Sequence, residues 1–182
     1  MTIALEQIDT TVRGYLERYP SEGSALAPIL DTLAKGFDFT SRRRFPAHVT
    51  AGIVLLDGQD RVLQIRHSVL GRWLTPGGHC EPDDKSLVGA ALRELIEECG
   101  MAPEDVERIG GEDALPVHIS VHSIPANDSR DEPMHHHFDF RYAYRSLPGL
   151  AVRLNHEASD LRWVPYAEVA ALDLADHQLP AG

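Results

Sequence analysis

The segment that decides the fold reads GGHCEPDDKSLVGAALRELIEECGM and spans residues 77–101. It begins with Gly77 and Gly78 directly after Pro76, a combination that predicts a tight turn in which the backbone closely approaches its neighbours. A helix is predicted from about Ser86 to Cys99, and Gly100 follows where a left-handed cap is expected. The segment is therefore predicted to form a loop, a helix and a second loop.

Three carboxylates lie on one face of this predicted helix. Glu94, Glu97 and Glu98 are spaced i, i+3 and i+4, which places them side by side. Like charges at this spacing repel each other, so they indicate either a solvated helix face or a bound divalent cation. Arg93 stands beside Glu94 and four residues before Glu97, where it is able to orient an acid. The arginine and the glycine turn favour the cation.

Together these residues resemble the Nudix box. In that motif a glycine, five residues, an acid and seven further residues precede Arg-Glu-apolar-any-Glu-Glu-any-Gly-apolar. The box here begins at Gly78, and the run from Arg93 to Met101 matches its second half at every defined position. Two departures lie in the first half: Asp84 replaces the glutamate, and eight residues rather than seven separate it from Arg93. Asp84 is therefore either the box acid or a loop and capping residue. The resemblance covers about residues 47–172.

The resemblance implies an α/β fold, an α/β/α sandwich around a mixed β-sheet. Residues 1–44 would form a helical N-terminal extension, and residues 45–182 the Nudix hydrolase-like domain. It implies Mg²⁺ or Mn²⁺ held by Glu94, Glu97 and Glu98, with the carbonyl of Gly77 as a weaker ligand candidate, and it makes Arg93 the residue that orients Glu94 or Glu97. The implied reaction is attack of water at phosphorus on a nucleoside diphosphate linked to another group.

The sequence leaves the proton acceptor of this reaction open. Glu94 is one candidate because it belongs to the carboxylate cluster. Glu157 is another, since it lies six residues before Trp163 in a loop that resembles the Nudix segment supplying a further acid. Its neighbour Asp160 could fill the same role. The alternative for Glu157 is an ordinary exposed loop acid.

A histidine-rich strand is the predicted lining of an anionic substrate pocket. In the predicted strand HHHFDFRYAYR, side chains alternate, so His135, His137 and Asp139 share one face. This face either meets water or lines the pocket, and the charges favour the pocket. A zinc site is the competing interpretation. It is disfavoured because three consecutive histidines cannot all face one ion, and because Cys80 and Cys99 show no paired-ligand spacing with them.

Two arginines flank the loop that enters the box. Arg66 ends a predicted strand and Arg72 lies in the loop, so either is a candidate phosphate contact. The alternative for both is surface charge. The surrounding chain predicts helices in the first 40 residues, the second spanning 25–35 after a cap at Ser24. Later strands are predicted at AHVTAGIVLL, RVLQIR and PVHISVHSI, and LRWVPYAEVAAL predicts a short strand followed by a helix.

Composition limits the partners. With 182 residues, 43% of them apolar, the chain is long enough for one domain with its own core. The formal net charge of −11 disfavours a nucleic-acid polymer and leaves a small phosphorylated substrate bridged by cations. No apolar run reaches the roughly 18 residues of a membrane helix. The N-terminus carries early acids, so we expect no signal peptide and a cytoplasmic protein, and two cysteines fit a reducing compartment.

Two other functions compete with hydrolysis. One is a catalytically silent Nudix-type nucleotide-binding sensor, although a sensor has no need of three mutually repelling carboxylates. The other is a prenyl-diphosphate isomerase or hydrolase, for which Cys80 beside Glu81 is the weak candidate pair. The N-terminal helices either cover the pocket or form a homodimer contact, and the sequence leaves both open.

Overall fold

The computed structural model describes residues 3–170 and divides the chain into two compact units. Unit 1 contains the residues up to Ala51 together with His79–Ala90 and Ile119–Phe140. Unit 2 contains Gly52–Gly78, Ala91–His118 and the residues from Arg141 onward. The carboxylates of the box belong to unit 2, and the histidine-rich strand begins in unit 1.

Two helices open the chain, as the sequence predicts. Helix α1 spans Leu5–Arg18 and helix α2 spans Gly23–Ala34, joined by a 3-10 turn at Pro20–Glu22. The turn leads directly into α2, so Ser24 lies inside the helix and is not its cap, and the predicted start at Ala25 is two residues late. Among the described residues, no helix combines the length and the apolar character needed to cross a membrane.

The remaining elements follow the predicted order of strands, helix, strands and helix. The helices are α3 (Leu87–Cys99) and α4 (Tyr166–Ala170). Within the described residues, the strands are β1 (Ala47–Leu56), β2 (Arg61–His67), β3 (Trp73–Leu74), β4 (Gly77–His79), β5 (Val106–Arg108), β6 (His118–Ile124), β7 (His135–Ser146) and β8 (Ala158–Pro165).

Unit 1 has an aromatic core to which the N-terminal residues contribute. Tyr15, Phe39 and Phe138 are fully buried. The rings of Phe39 and Phe138 meet edge to face with their centroids 5.3 Å apart. The N–H of Val49 in β1 donates to the carbonyl of Phe39 at 3.0 Å. The sequence predicts a domain boundary between residues 44 and 45, yet residues before and after it pack into one core of unit 1.

Unit 2 is organised around β2, which pairs antiparallel with β1, β3 and β8. Leu56 lies opposite Val62 in the first of these pairs. Strand β5 pairs antiparallel with β7 in the same unit. An apolar cluster fills the interior of unit 2 and consists of Val54, Leu56, Val62, Val117, Ala143 and Val169.

A close backbone approach fixes the loop that enters the box. The N–H of Ile53 donates to the carbonyl of Pro76 at 2.9 Å. A Cβ atom at the neighbouring Gly52 would lie 2.7 Å from that carbonyl oxygen, closer than real Cβ atoms come. Glycine at position 52 therefore lets the Pro76–Gly77 turn lie directly against β1.

Strand β7 is more enclosed than an alternating pattern predicts. His135 is 3% exposed and Asp139 is 5% exposed, although both lie on the face expected to be polar. Phe138 and Phe140 on the other face are also buried. The face of His135 and Asp139 is therefore buried in the protein, which removes the alternative that it simply meets water.

Candidate functional site

Helix α3 presents the box residues on a well-capped scaffold. The hydroxyl oxygen of Ser86 accepts a hydrogen bond from the N–H of Gly89 at 2.9 Å, which caps the start of the helix. Gly100 has a φ of 63°, the left-handed conformation that ends many helices. The face that anchors α3 is buried and consists of Leu87, Ala90, Ala91, Leu95 and Cys99.

The three box glutamates differ sharply in exposure. Glu98 is 5% exposed, the side chain of Glu94 is 12% exposed, and that of Glu97 is 51% exposed. Water can therefore relieve the charge of Glu97 but not that of its two neighbours. The solvated helix face that the sequence left open does not describe Glu94 and Glu98.

Two groups hold these carboxylates in place. The Nη1 atom of Arg93 donates to Glu94 Oε1 at 3.0 Å and to Glu97 Oε2 at 3.1 Å. The backbone N–H of Gly77 donates to Glu98 Oε2 at 2.9 Å. Arg93 thus contacts both acids that the sequence expected it to orient, and the glycine turn holds the third.

Burial shifts both enclosed acids toward the neutral form. Desolvation raises the pKa of Glu94 to about 7, although Arg93 acts in the opposite direction. Desolvation also raises the pKa of Glu98 to about 7, against the Gly77 hydrogen bond, and the negative charges of Glu94 and Glu157 add to the rise. Burial therefore favours the protonated form of both acids when no cation is bound.

A loop bound to the end of α3 brings Glu157 within electrostatic reach of this cluster. The N–H of Arg153 donates to the carbonyl of Cys99 at 2.8 Å, and the N–H of Asn155 donates to the carbonyl of Glu98 at 3.3 Å. The Asn155 side chain then accepts from the N–H of Glu157 at 2.9 Å. The charge of Glu157 acts on Glu94 and Glu98, whereas Asp160 accepts from the N–H of Leu161 and is exposed.

Gly78 leaves the room that Glu94 occupies. A Cβ atom at position 78 would lie 2.5 Å from Glu94 Oε1 and 2.8 Å from Glu94 Oε2. Any larger residue would therefore displace this carboxylate. The first glycine of the box is explained by the position of one of its acids.

Asp84 is used by its own loop. It is 8% exposed, and its Oδ2 atom accepts a hydrogen bond from the N–H of Glu81 at 2.7 Å. The N–H of Asp84 donates to the carbonyl of Glu81 at 3.1 Å, which closes a turn. These contacts support the capping interpretation of Asp84.

Four histidines gather in unit 1. His48 and His135 are buried, and their ring centroids lie 4.7 Å apart. His137 lies 4.6 Å from His48 and 5.1 Å from His135 by the same measure. His79 packs against His137 at 4.9 Å, with their Nε2 atoms 3.4 Å apart. The structure thus brings together the two predicted histidines, His135 and His137, and adds two more.

Burial favours the neutral form of three of these histidine rings, His48, His79 and His137. Burial lowers the pKa of His48, and it lowers the pKa of His79 to about 3 and that of His137 to about 4. Asp139 acts on the pKa of His137 in the opposite direction. Asp139 itself accepts a hydrogen bond from the hydroxyl of Thr50 at 2.8 Å. The predicted polar face of β7 is therefore one network within unit 1.

The two arginines predicted to contact phosphate lie at the surface. Arg66 is in β2 opposite Trp73, and its carbonyl accepts from the hydroxyl of Ser159 at 3.3 Å. Arg72 is exposed, and its carbonyl accepts from the N–H of His67 at 3.0 Å. Backbone contacts fix both positions, and both side chains reach solvent.

Sequence reasoning did not identify His48 and His79 as site residues. His48 lies in the apolar run AHVTAGIVLL, where a polar residue in a fully buried strand was the available indication. His79 directly follows Gly78, within the motif itself. Neither position is close to His135 in the sequence, so local patterns do not connect them.

Comparison with known families gives a match over most of the chain. The model of the NUDIX domain family matches residues 46–181. A protein of Lactococcus lactis subsp. cremoris, called a probable DHNTP pyrophosphohydrolase, is 31% identical over 84 residues, which are 46% of this chain and 46% of that protein. An RNA pyrophosphohydrolase of Dinoroseobacter shibae is 45% identical over 64 residues, 34% of this chain and 39% of that protein. The chain spans less than half the length of either relative.

The fold itself is shared with solved structures. A C. elegans Ap4A hydrolase, crystallised as a binary complex, superposes with a TM-score of 0.54 at 20% sequence identity. The match covers 68% of this chain and 84% of the other. At this identity the likeness concerns the fold alone, and it confirms the predicted α/β class.

Proposed function

Because the chain belongs to the Nudix family, we propose that it is a pyrophosphohydrolase. Its substrate would be a nucleoside diphosphate linked to another group, or a related small diphosphate, cleaved at a phosphoanhydride bond. The observation that carries the proposal is the enclosed pair Glu94 and Glu98 beside Arg93. Enclosing two acids is costly unless a cation compensates them, and such a cation serves phosphoanhydride hydrolysis directly.

The donor set fits Mg²⁺ or Mn²⁺. Hard divalent cations take carboxylate oxygens, and Glu94, Glu97 and Glu98 supply these, with the Gly77 carbonyl as a further candidate. Arg93 offsets at most one of the negative charges, and burial, with the neighbouring acids adding to it, raises the pKa of Glu94 and of Glu98. When bound, the cation would neutralise charge on the phosphates and lower the pKa of water.

The protein side chains would position the cation ligands and accept the proton. Arg93 holds Glu94 and Glu97 through one nitrogen atom, and the N–H of Gly77 holds Glu98. We propose Glu157 as the proton acceptor. Its negative charge raises the pKa of Glu94 and of Glu98, and it belongs to a different loop from these two acids. Glu94 is the second candidate for this role.

The substrate contacts stay predictions. Arg66 and Arg72 are exposed and carry the charge that a phosphate requires. His135, His137 and Asp139 were expected to line the substrate pocket, and their enclosure within unit 1 is compatible with that role. A homodimer and a cytoplasmic location are further predictions.

Two kinds of substrate have to be compared, small nucleotides and RNA. The names of the relatives describe hydrolysis of a pyrophosphate bond in DHNTP and in RNA. The net charge of −11 favours a small substrate over a polymer. Triphosphorylated RNA is therefore tested as an alternative substrate beside the small nucleotides.

The experiment is a hydrolysis assay with Mg²⁺ or Mn²⁺. Nucleoside triphosphates, nucleotide sugars, dinucleoside polyphosphates, prenyl diphosphates and a 5′-triphosphorylated RNA are compared by release of phosphate and pyrophosphate. We expect turnover of at least one small nucleotide and a loss of about 100-fold or more in kcat for Glu98→Gln, the range found when a group that stabilises transition-state charge is removed. Glu104→Gln, an exposed acid of unit 2, is the matched control and should retain activity.

Two outcomes would redirect the proposal. If no compound is turned over while Glu98→Gln keeps tight nucleotide binding, the protein is a nucleotide sensor. If only a prenyl diphosphate reacts, the isomerase or hydrolase of such compounds is the better description.

A further inference from the structure

A second group of metal-binding side chains lies in unit 1 and consists entirely of imidazoles. We propose that His48, His135 and His137 bind a divalent transition-metal ion of the Zn²⁺ type. Their ligand atoms all lie within 4.8 Å of one another. This site uses a different class of donor from the carboxylates of α3, so it adds to the proposed function and does not depend on it.

The spacing of the nitrogens fits tetrahedral coordination. The Nε2 atoms of His135 and His137 are 3.2 Å apart. With zinc–nitrogen distances of about 2.0–2.1 Å, two ligands of a tetrahedral ion stand roughly 3.3–3.4 Å apart. The two imidazoles of β7 therefore already have nearly the required separation.

His48 carries a buried ring nitrogen that the surrounding protein does not satisfy. Within the part of the chain that the structure describes, its Nε2 atom has no hydrogen-bond partner. Its Nδ1 atom lies 3.2 Å from the carbonyl of Arg44, and since a carbonyl only accepts, Nδ1 carries the proton. The lone pair of the neutral ring is then on Nε2, inside the protein, where leaving it unpaired is costly. A metal ion would satisfy it.

Backbone carbonyls orient two of the three rings as metal ligands are usually oriented. His135 Nδ1 lies 2.7 Å from the carbonyl oxygen of Pro133, and His48 Nδ1 lies 3.2 Å from the carbonyl oxygen of Arg44. Such outer contacts fix the tautomer and direct the opposite nitrogen to the metal.

Imidazole donors select the type of ion. Neutral imidazole suits zinc and its transition-metal neighbours, whereas Mg²⁺ prefers oxygen. The strand geometry that disfavoured a zinc site in the sequence still holds, because His136 points to the other face of β7. The third ligand comes instead from β1, through His48, and the ion would join two strands that are far apart in the chain.

The test is a zinc titration of the untagged full-length protein. Metal is removed with a chelator, Mg²⁺ is added in excess to occupy carboxylate sites, and Zn²⁺ is titrated by calorimetry alongside thermal unfolding. We expect one tightly bound Zn²⁺ per chain and a rise in Tm. In His48→Gln and His135→Gln the affinity should fall by more than about 100-fold, because loss of even an outer partner costs 10–100-fold. His136→Gln is the matched control and should bind as the wild type does.

Cobalt substitution separates the imidazole site from the carboxylate cluster, and unfolding controls identify damaged variants. Co²⁺ in the wild-type protein should give the intense visible bands of a tetrahedral site, and these should persist in Glu98→Gln but vanish in His135→Gln. Metal-free thermal unfolding identifies any variant that does not fold, in which case His137→Gln replaces it. The proposal is wrong if the wild type binds no Zn²⁺ beside Mg²⁺, if the histidine variants bind normally, or if Glu98→Gln removes the site.

Discussion

At the scale of single residues, Glu98 shows how burial and charge oppose each other. Burial raises the pKa of the enclosed Glu98 carboxyl to about 7, and the hydrogen bond from the Gly77 N–H only partly offsets this rise. A carboxyl in this state prefers a proton when no metal is present. If the proposed cation binds there, the same carboxyl becomes its ligand, and the cation would stabilise the ionised form.

The raised pKa of Glu98 predicts that the metal-free protein becomes less stable as pH rises. The folded pKa of Glu98, about 7, exceeds the ordinary value of 4.5, so its stabilising contribution is complete below the lower value and is lost as pH rises through the higher one. The metal-free protein should therefore lose on the order of 3 kcal/mol from this group between about pH 4.5 and about pH 8, at 1.36 kcal/mol per unit of pKa. Urea denaturation in the presence of a chelator measures it.

Variants assign the effect to Glu98. Glu98→Gln cannot ionise, so it should clearly reduce the slope of stability against pH and leave the contribution of Glu94, whose pKa is also raised to about 7. Glu104→Gln should keep the slope of the wild type. Saturating Mg²⁺ should also reduce the slope, because a cation stabilises the ionised form. Equal slopes for the wild type and Glu98→Gln would contradict this account.

Among the secondary-structure elements, the glycine turn and α3 contact each other directly, and the turn positions the acids of the helix. The turn is held against β1 by Gly52, and its next residues meet the acids of the helix. Gly78→Ala would place a methyl group where the carboxylate of Glu94 lies. Because that carboxylate is the end of a flexible side chain, it can move, so we expect little loss of stability.

The activity should respond differently from the stability. We expect kcat of Gly78→Ala to fall by about 10-fold or more, since small misplacements of catalytic groups are costly, while Tm stays near that of the wild type. Gly89→Ala is the matched control and should keep its activity, because Gly89 lies in α3 and a Cβ atom there would be close only to Ser86 Oγ. Equal activities of the two variants would show that Glu94 is not placed by the turn. The readouts are steady-state kinetics and thermal unfolding.

The sequence predicts such elements well because their determinants are local. The spacing of the acids located α3 to within one residue, and Gly100 marked its end, since helix periodicity and capping depend on neighbours in the chain. The start of α2 was wrong because the 3-10 turn at Pro20–Glu22 replaces a side-chain cap. The histidine cluster was incomplete because His48 and His135 meet only through strand packing, which no local pattern encodes.

At the scale of the whole molecule, the N-terminal residues raise a question of domain organisation. The family match begins at residue 46, and we propose residues 1–44 as a helical extension to the domain of residues 45–182. Yet Ile8, Val12 and Tyr15 in α1 are fully buried within unit 1. The extension should therefore fold together with unit 1 and not as an independent appendage.

Phe39 provides the test, because its ring packs on Phe138, which lies inside the family match. Phe39→Ala should lower the free energy of unfolding by about 3–5 kcal/mol, the usual cost of removing a buried aromatic ring. Glu17→Ala, an exposed position of α1, should change it by no more than about 0.5 kcal/mol. Urea denaturation followed by far-UV circular dichroism should show one transition displaced as a whole by Phe39→Ala. A small helical transition that shifts alone, while the main transition keeps its midpoint, would instead make residues 1–44 a separate folding unit. The contact between Phe39 and Phe138 would then contribute nothing to the stability of residues 45–182.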